Sequence, residues 1–344
     1  MSAYGLYPCP YPDEIFPCVC SFIEETRDII LDCSDANSSS DISSALNDAF
    51  WFTNRLKMFY LGDDDVVEEL SEGVFKRVTF EIIDVENAKV ASIHPSALLS
   101  SQDHLKVVQI RLCPMKEFPW DTLPQLTSLL ALYLKNNRLT AIPSIQSPSL
   151  QSLVVSQNRI FKLEAGWQAP NLTALIMSGN PITGFPHGFF EGFDNLVQFD
   201  CNSCKLGPTL FNGTLNFRSE NLTELSLIHN NISTIEPDAI TGLTPNTVIY
   251  LEANHITELT EEAFRPMLDV LSYGNGYIDL WDNPIMCGCS MAWVVVEPYY
   301  FGRVLGYCHD GNSMEDLDPD VFKKFCIKMN PPMPGEYSTW IDLD

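Results

Sequence analysis

Cys201-x-x-Cys204 has the spacing of a redox dithiol, whose chemistry needs the motif at a helix N-terminus where the dipole favours thiolate. The repeat register set out below denies it that helix. It places Cys201, Cys204 and Cys113 at inward positions, so all three are expected as buried, reduced thiols. Cys113 and Cys204 lie four repeats apart, about 19 Å at roughly 4.8 Å per strand, beyond disulfide reach. Asp63-Asp64-Asp65 offers hard oxygen ligands for a cation such as calcium. No Asp-x-Asn/Asp spacing with a downstream Glu completes a calcium loop, and the run reads as a solvated turn. Glu261-Glu262 and Asp316 with Asp318 pair carboxylates, but acid–base work needs an apolar pocket that separates their pKa values. Surface charge is the plainer account. His94, His104, His187, His229, His255 and His309 are scattered singly, with no H-E-x-x-H. The chain holds no G-x-S-x-G, P-loop or G-x-G-x-x-G, and Gly274-Asn275-Gly276 reads as a loop before a strand. No catalytic residue, metal or cofactor is assigned, and the chain is read as a non-catalytic binding protein.

Composition narrows the partner. The 344 residues include 20 Lys plus Arg against 45 Asp plus Glu, a net charge of −25 that repels phosphate backbones and anionic membranes. Nucleic acid and membrane insertion are excluded as modes of action: no stretch reaches the about 18 apolar residues of a membrane span. Met1-Ser2-Ala3-Tyr4 has neither a basic nor an apolar leader segment, so a signal peptide is expected to have been removed or replaced. Eleven cysteines, eight of them near the two ends, argue for an oxidising compartment. Sequons at Asn37, Asn171, Asn212, Asn221 and Asn231 point the same way, to a secreted, extracellular glycoprotein.

The elements that position these residues come from a repeat. The pattern L-x-x-L-x-L-x-x-N/C-x-L is clean from Leu129, Leu150, Leu172 and Leu222. Weaker copies start at Leu56, Phe80, Leu105, Leu196, Asn246 and Asn275, giving ten with starts 21 to 29 residues apart. This is the strand-and-turn signature of leucine-rich repeats. The first, fourth and sixth places point inward from a short parallel strand, and each coil buries its neighbours. At the ninth place Asn137, Asn158, Asn180, Asn230, Asn254 and Asn283 can satisfy backbone groups where the strand turns away. Asp64 and Ala88 stand there in the first two repeats, which should be the less regular ones. Phe75, Leu98, Phe264 and the segments 185–190 and 235–240 supply apolar plugs for the convex side. The expected fold is an α/β-type solenoid, a leucine-rich-repeat horseshoe with a concave parallel β-sheet and disulfide-bonded caps. Its expected parts are a cysteine-rich cap over 1–55, ten repeats over 56–285, a second cap over 286–326 and a mobile acidic tail over 327–344.

Capping is required because an open solenoid exposes its core at both ends. Cys9, Cys18, Cys20 and Cys33 precede the repeats among Pro8, Pro10, Pro12 and Pro17; Cys287-Gly288-Cys289, Cys308 and Cys326 follow them. Zinc is the competing reading, but the close pairs are C-x-C rather than C-x2-C, which favours disulfides. These clusters resemble the flanking modules of extracellular leucine-rich-repeat proteins. That resemblance implies Cys287–Cys308 and Cys289–Cys326, and favours Cys9–Cys20 and Cys18–Cys33. With Tyr7-Pro8-Cys9-Pro10, Leu31-Asp32-Cys33 and the irregular early repeats, the chain is similar to the arthropod proteins named for the non-catalytic subunit of Oplophorus luciferin 2-monooxygenase. That similarity implies a secreted complex in which a different, small catalytic luciferase subunit oxidises an imidazopyrazinone and the repeat chain supports it. An extracellular recognition or adhesion protein, in innate immunity or matrix, is the alternative.

Third, fifth and seventh repeat places face outward on the concave sheet. Tyr133, Val154 and Ile176 fill adjacent fifth places, among the small Ala131, Ser152, Ala174, Ser156 and Ser178. Apolar side chains on such a surface are typical interface anchors, the bland alternative being strand propensity. They form the expected partner-binding site, with Tyr250 and Trp281 in a second strip beside Val248 and Tyr277. The sequons fall on edges and convex turns, leaving the middle of the concave face bare.

Overall fold

The computed structural model describes residues 8–327. The leading residues and the expected tail, Ile327 apart, lie outside them. One sheet of 13 strands runs through the molecule in sequence order. Its strands are β1 (Val19–Ile23), β2 (Asp28–Asp32), β3 (Arg55–Gly62), β4 (Thr79–Glu86), β5 (Val107–Arg111), β6 (Ala131–Tyr133) and β7 (Ser152–Val154). The rest are β8 (Ala174–Ile176), β9 (Gln198–Asp200), β10 (Glu224–Ser226), β11 (Val248–Tyr250), β12 (Tyr277–Asp279) and β13 (Val304–Leu305). Only β1 is antiparallel to its neighbour; from β2 onward each strand pairs in parallel with the next. Arg55 apart, strands β3 to β12 fall within the span expected for the ten repeats, and β1, β2 and β13 extend the same sheet beyond it.

Parallel neighbours demand a full return of the chain between strands, which is what a coil of 21 to 29 residues provides. The fourth-place residues Leu132, Leu153, Leu175, Phe199, Leu225, Ile249 and Ile278 stand side by side in register and are all 0% exposed. No coil could bury that face alone. Each coil then leaves the sheet by one device. The eighth place of every repeat, Asp63, Asn87, Leu112, Asn136, Gln157, Gly179, Ser203, His229, Ala253 and Asp282, has φ between 49° and 72°. This left-handed residue swings the chain inward, so that the ninth side chain enters the core.

There the ladder forms. Asn180 Nδ2 donates to the Val155 and Met177 carbonyls, and its Oδ1 accepts the Ile160 N–H. Asn158, Asn254 and Asn283 repeat the arrangement with their own preceding coils. Asp64, buried at the ninth place of the first repeat, turns its Oδ1 to the Val66 and Val67 N–H groups instead. The acidic run is therefore only partly the solvated turn expected: Asp63 and Asp65 are exposed, but Asp64 is core. An acceptor-only carboxylate serves here because the groups left unpaired at this turn are N–H donors.

The convex side is built from short two-stranded pairs and turns, with one longer helix, α2 (Glu261–Leu271), after α1 (Ser39–Asn47) of the N-terminal cap. Phe75, Leu98 and Phe264 are buried plugs. In the middle, Phe185, Phe189, Phe190, Phe193, Phe199 and Phe217 form a connected set of tilted and edge-on ring contacts with Trp167. Coils meet closely enough there that a Cβ on Gly192 would come within 1.9 Å of the Trp167 carbonyl oxygen.

Both caps are stapled. Cys9–Cys20 and Cys18–Cys33 tie β1 to its surroundings, and Cys287–Cys308 and Cys289–Cys326 close the other end, the pairs that the resemblance implies. Each such bridge contributes about 2–5 kcal/mol in a small cap. A fifth disulfide corrects the expectation of three reduced core thiols: Cys201 and Cys204 are bonded to each other. The sixth and ninth places both point inward, and Ser203 at φ 52° folds the chain between them until the Cα atoms are 5.6 Å apart. No helix is needed for that. Cys113 alone remains free, and buried. Among the described residues no helix is long and apolar enough to cross a membrane.

Candidate protein-binding surface

Strand register lays the outward side chains in three straight rows across the concave face. Tyr133, Val154 and Ile176 are direct neighbours in the fifth-place row, the arrangement needed for one continuous patch. All three are half-buried rather than proud of the surface, because neighbouring strands crowd them from both sides. Tyr250 and Trp281 do not join them. Asp200 and Ser226 interrupt the row, so the two candidate strips are separate patches.

The patch around Tyr133 extends further than expected, toward the N-terminus. Ile30, Met58, Ile82, Val107 and Ala131 lie in register along the third-place row, four of them half-buried. Together with Tyr133, Val154 and Ile176 they make one apolar band across β2 to β8. The third places of the early repeats carried that signal: large aliphatics stand where later repeats have Ala131, Ser152 and Ala174. On this half of the sheet several charged residues are paired with one another. Lys57 and Lys106 both reach Glu81, at 2.8 and 3.1 Å, and Arg111 bridges Asp84 and Glu86. The hydrogen-bonded lysines hold the Glu81 carboxyl below its ordinary range, whereas burial pushes Asp84 up despite Arg111.

The second strip is built differently. Trp281 and Tyr307 pack edge to face at 4.5 Å. Burial first, then the neighbouring Tyr277 and nearby carboxylates, pushes the Tyr250 hydroxyl up to about 12. The Glu252 and Asp279 carboxyls are neighbours, and burial first raises both above the usual carboxylate range.

Elsewhere the chemistry weighed from the sequence is used structurally. Arg265 pairs with Glu261, and Asp318 caps a helical turn through the Asp320 N–H. The Cys113 thiol, at 3.2 Å from the Arg111 carbonyl, is pushed up to about 11 by burial and would be a poor nucleophile. Among the described residues no group of three or more His, Cys, Asp or Glu could hold a metal ion. A cleft of about 540 Å³ on the N-terminal cap is lined by residues including Phe50, Trp51, Lys76 and Arg77, and its wall carries no histidine, cysteine or carboxylate. All five sequon asparagines are exposed and none occupies a concave row.

Solved structures similar to this chain share its architecture. Residues 220–272 match the leucine rich repeat family model. A chain from the octameric complex of Latrophilin 3, Unc5D and FLRT2 (LRR) superposes with a TM-score of 0.60 at 17% identity, covering 90% of this chain and 98% of that one. The fold is the leucine-rich-repeat horseshoe. A chain of the Drosophila Toll–Spätzle complex also superposes on this repeat protein, with a TM-score of 0.51 at 17% identity over 82% of this chain and 46% of that one. In sequence, the chain is 24% identical to the Oplophorus-luciferin 2-monooxygenase non-catalytic subunit of Oplophorus gracilirostris, over 92% of this chain and 88% of that subunit. It is 30% identical to lumican of Rattus norvegicus, over 46% of this chain and 47% of lumican. The likeness to a luciferase subunit therefore runs nearly end to end, and the likeness to lumican covers about half.

Proposed function

We propose that this chain is a secreted, non-catalytic binding protein that holds a protein partner on its concave face, as an accessory subunit like that of the Oplophorus luciferase complex. The observation carrying the reading is the apolar band from Ile30 to Ile176, set in register on an open sheet face and free of sequons. Covering a side chain such as Val154 or Ile176 would contribute up to about 1.5–3 kcal/mol, so a few anchors suffice for a stable complex. Oxidised caps support an extracellular setting, and glycans at Asn37, Asn171, Asn212, Asn221 and Asn231 would leave the band clear. Catalysis would belong to the partner. The relative's name supports that division, as it denotes a non-catalytic subunit.

Extracellular recognition or adhesion is the second reading, favoured by the partial likeness to lumican and by the Toll–Spätzle neighbour. Co-purification from native secretion, with mass spectrometry and a luciferin assay, separates the two. Val154→Asp should abolish partner capture in a pull-down while circular dichroism stays unchanged. Undiminished capture by the folded variant would refute the band as the site, and turnover by this chain purified alone would refute the non-catalytic reading.

A further inference from the structure

Two groups of carboxylates on the concave face differ in their partners. Toward the N-terminus, Glu81, Asp84 and Glu86 each have a lysine or arginine of the same sheet. Toward the C-terminus, Glu224, Glu252, Asp279 and Asp282 gather on and beside β10 to β12, and among the described residues none of them is ion-paired with a lysine or arginine. The nearby Arg303 instead donates to the Gly276 carbonyl. Glu224 accepts only the neutral amide of Gln198, at 2.9 Å. Asp279 is 7% exposed and takes the Trp281 N–H at 3.1 Å, with the Glu252 carboxyl on its other side. Two neighbouring carboxylates repel one another when both are ionised, and a cation placed beside them relieves that repulsion.

Beside this pair the side chains are aromatic. Trp281 and Tyr307 form an edge-to-face wall, with Tyr250 and Tyr277 in the neighbouring rows. Ring faces attract cations and carboxylates pair with them, and the two together select lysine or arginine over neutral side chains. We propose that this end of the concave face, at Trp281, Tyr307 and the Glu252–Asp279 pair, receives a lysine or arginine side chain from a basic segment of the protein partner. The inference rests on the concave face being the partner surface, and it gives the partner a polarity: an apolar stretch over β2 to β8, then a cation over β11 to β13. The other groups facing the pair are Asp282 and His229 toward Glu252, with Tyr250 and Glu224 alongside.

The test uses the full chain and a short fluorescein-labelled peptide of consecutive arginines between glycine and serine flanks, read by anisotropy. Saturable binding is expected, weakened about tenfold or more by Trp281→Ala and by Glu252→Gln. Glu262→Gln, which removes the same charge from an exposed residue of α2, should leave it unchanged. Binding to the unmutated chain should tighten as pH rises through the raised range of Glu252 and Asp279, and Glu252→Gln should flatten that profile. Equal weakening by Glu262→Gln would trace binding to the net charge and overturn the proposal. So would equal binding of a glutamine peptide, or no saturable binding. A protein that captures its partner through Val154 yet ignores the peptide overturns this inference alone; peptide binding with partner capture undisturbed by Val154→Asp overturns the band alone.

Discussion

Asn158 donates its side-chain amide to the carbonyl of Leu134 in the preceding coil at 2.8 Å, and by that bond the two coils share one turn. The same amide reaches Val155 and Ser156 carbonyls, and its oxygen accepts the Leu139 N–H at 3.0 Å. Asn158→Ala strands several buried groups at about 1–3 kcal/mol each, so a loss above about 3 kcal/mol is expected in urea unfolding. A loss within about 0.5 kcal/mol would mean the ladder carries no stability.

Thiol content distinguishes the structure from the register argument. With Cys201 bonded to Cys204, labelling of the denatured, unreduced protein should find one free thiol, Cys113, rather than three. In the native protein at mildly alkaline pH that thiol should stay unlabelled, since burial holds its pKa near about 11. Rapid native labelling, or a count of three, would contradict the assignment.

The ladder asparagines were legible because a fixed backbone turn demands one side-chain amide at one place, which leaves a periodic letter in the sequence. Cys201–Cys204 was not. Inward direction was read correctly from the register, but proximity depends on Ser203 adopting a left-handed conformation, and serine does not announce it. The same blindness covers the whole eighth place, filled by eight residue types with nothing in common but their φ. On the concave face, Tyr133, Val154 and Ile176 could be placed side by side from spacing alone. Their continuation through Ile82 and Met58 was legible at the third places of the repeats from Phe80 and Leu56; Ile30 was not, because it lies in the N-terminal cap ahead of the repeat pattern.

The left-handed eighth place predicts opposite outcomes for two small substitutions. Ala253 sits at φ 52°, where a non-glycine residue costs about 1–2 kcal/mol, so Ala253→Gly should leave stability unchanged or improve it. That gain offsets the about 0.5–1 kcal/mol that glycine loses in chain entropy. Gly179→Ala should cost about 1–2 kcal/mol, because φ there is 72° and alanine is strained in that region. Thermal unfolding of both variants tests the pair; a destabilised Ala253→Gly protein would break the rule.

Asp279 gives the fold a pH dependence whose sign is fixed by its burial. Its folded pKa is raised, by desolvation first, so the native state holds the proton more tightly than the unfolded chain does. The resulting stabilisation is fully present below the unfolded carboxylate pKa and is lost as pH rises through the raised folded value. At neutral pH the buried carboxylate is therefore a cost. Asp279→Asn removes the titration, keeps an oxygen for the Trp281 N–H, and offers an amide donor to Glu252. Denaturant midpoints measured across pH should show the variant gaining on the unmutated protein as pH climbs through the raised range. Below that range the gain should vanish. A difference that stays constant with pH would mean that Asp279 titrates alike in folded and unfolded chains, and a growing deficit at high pH would mean that its ionised form is stabilised by a cation on the concave face.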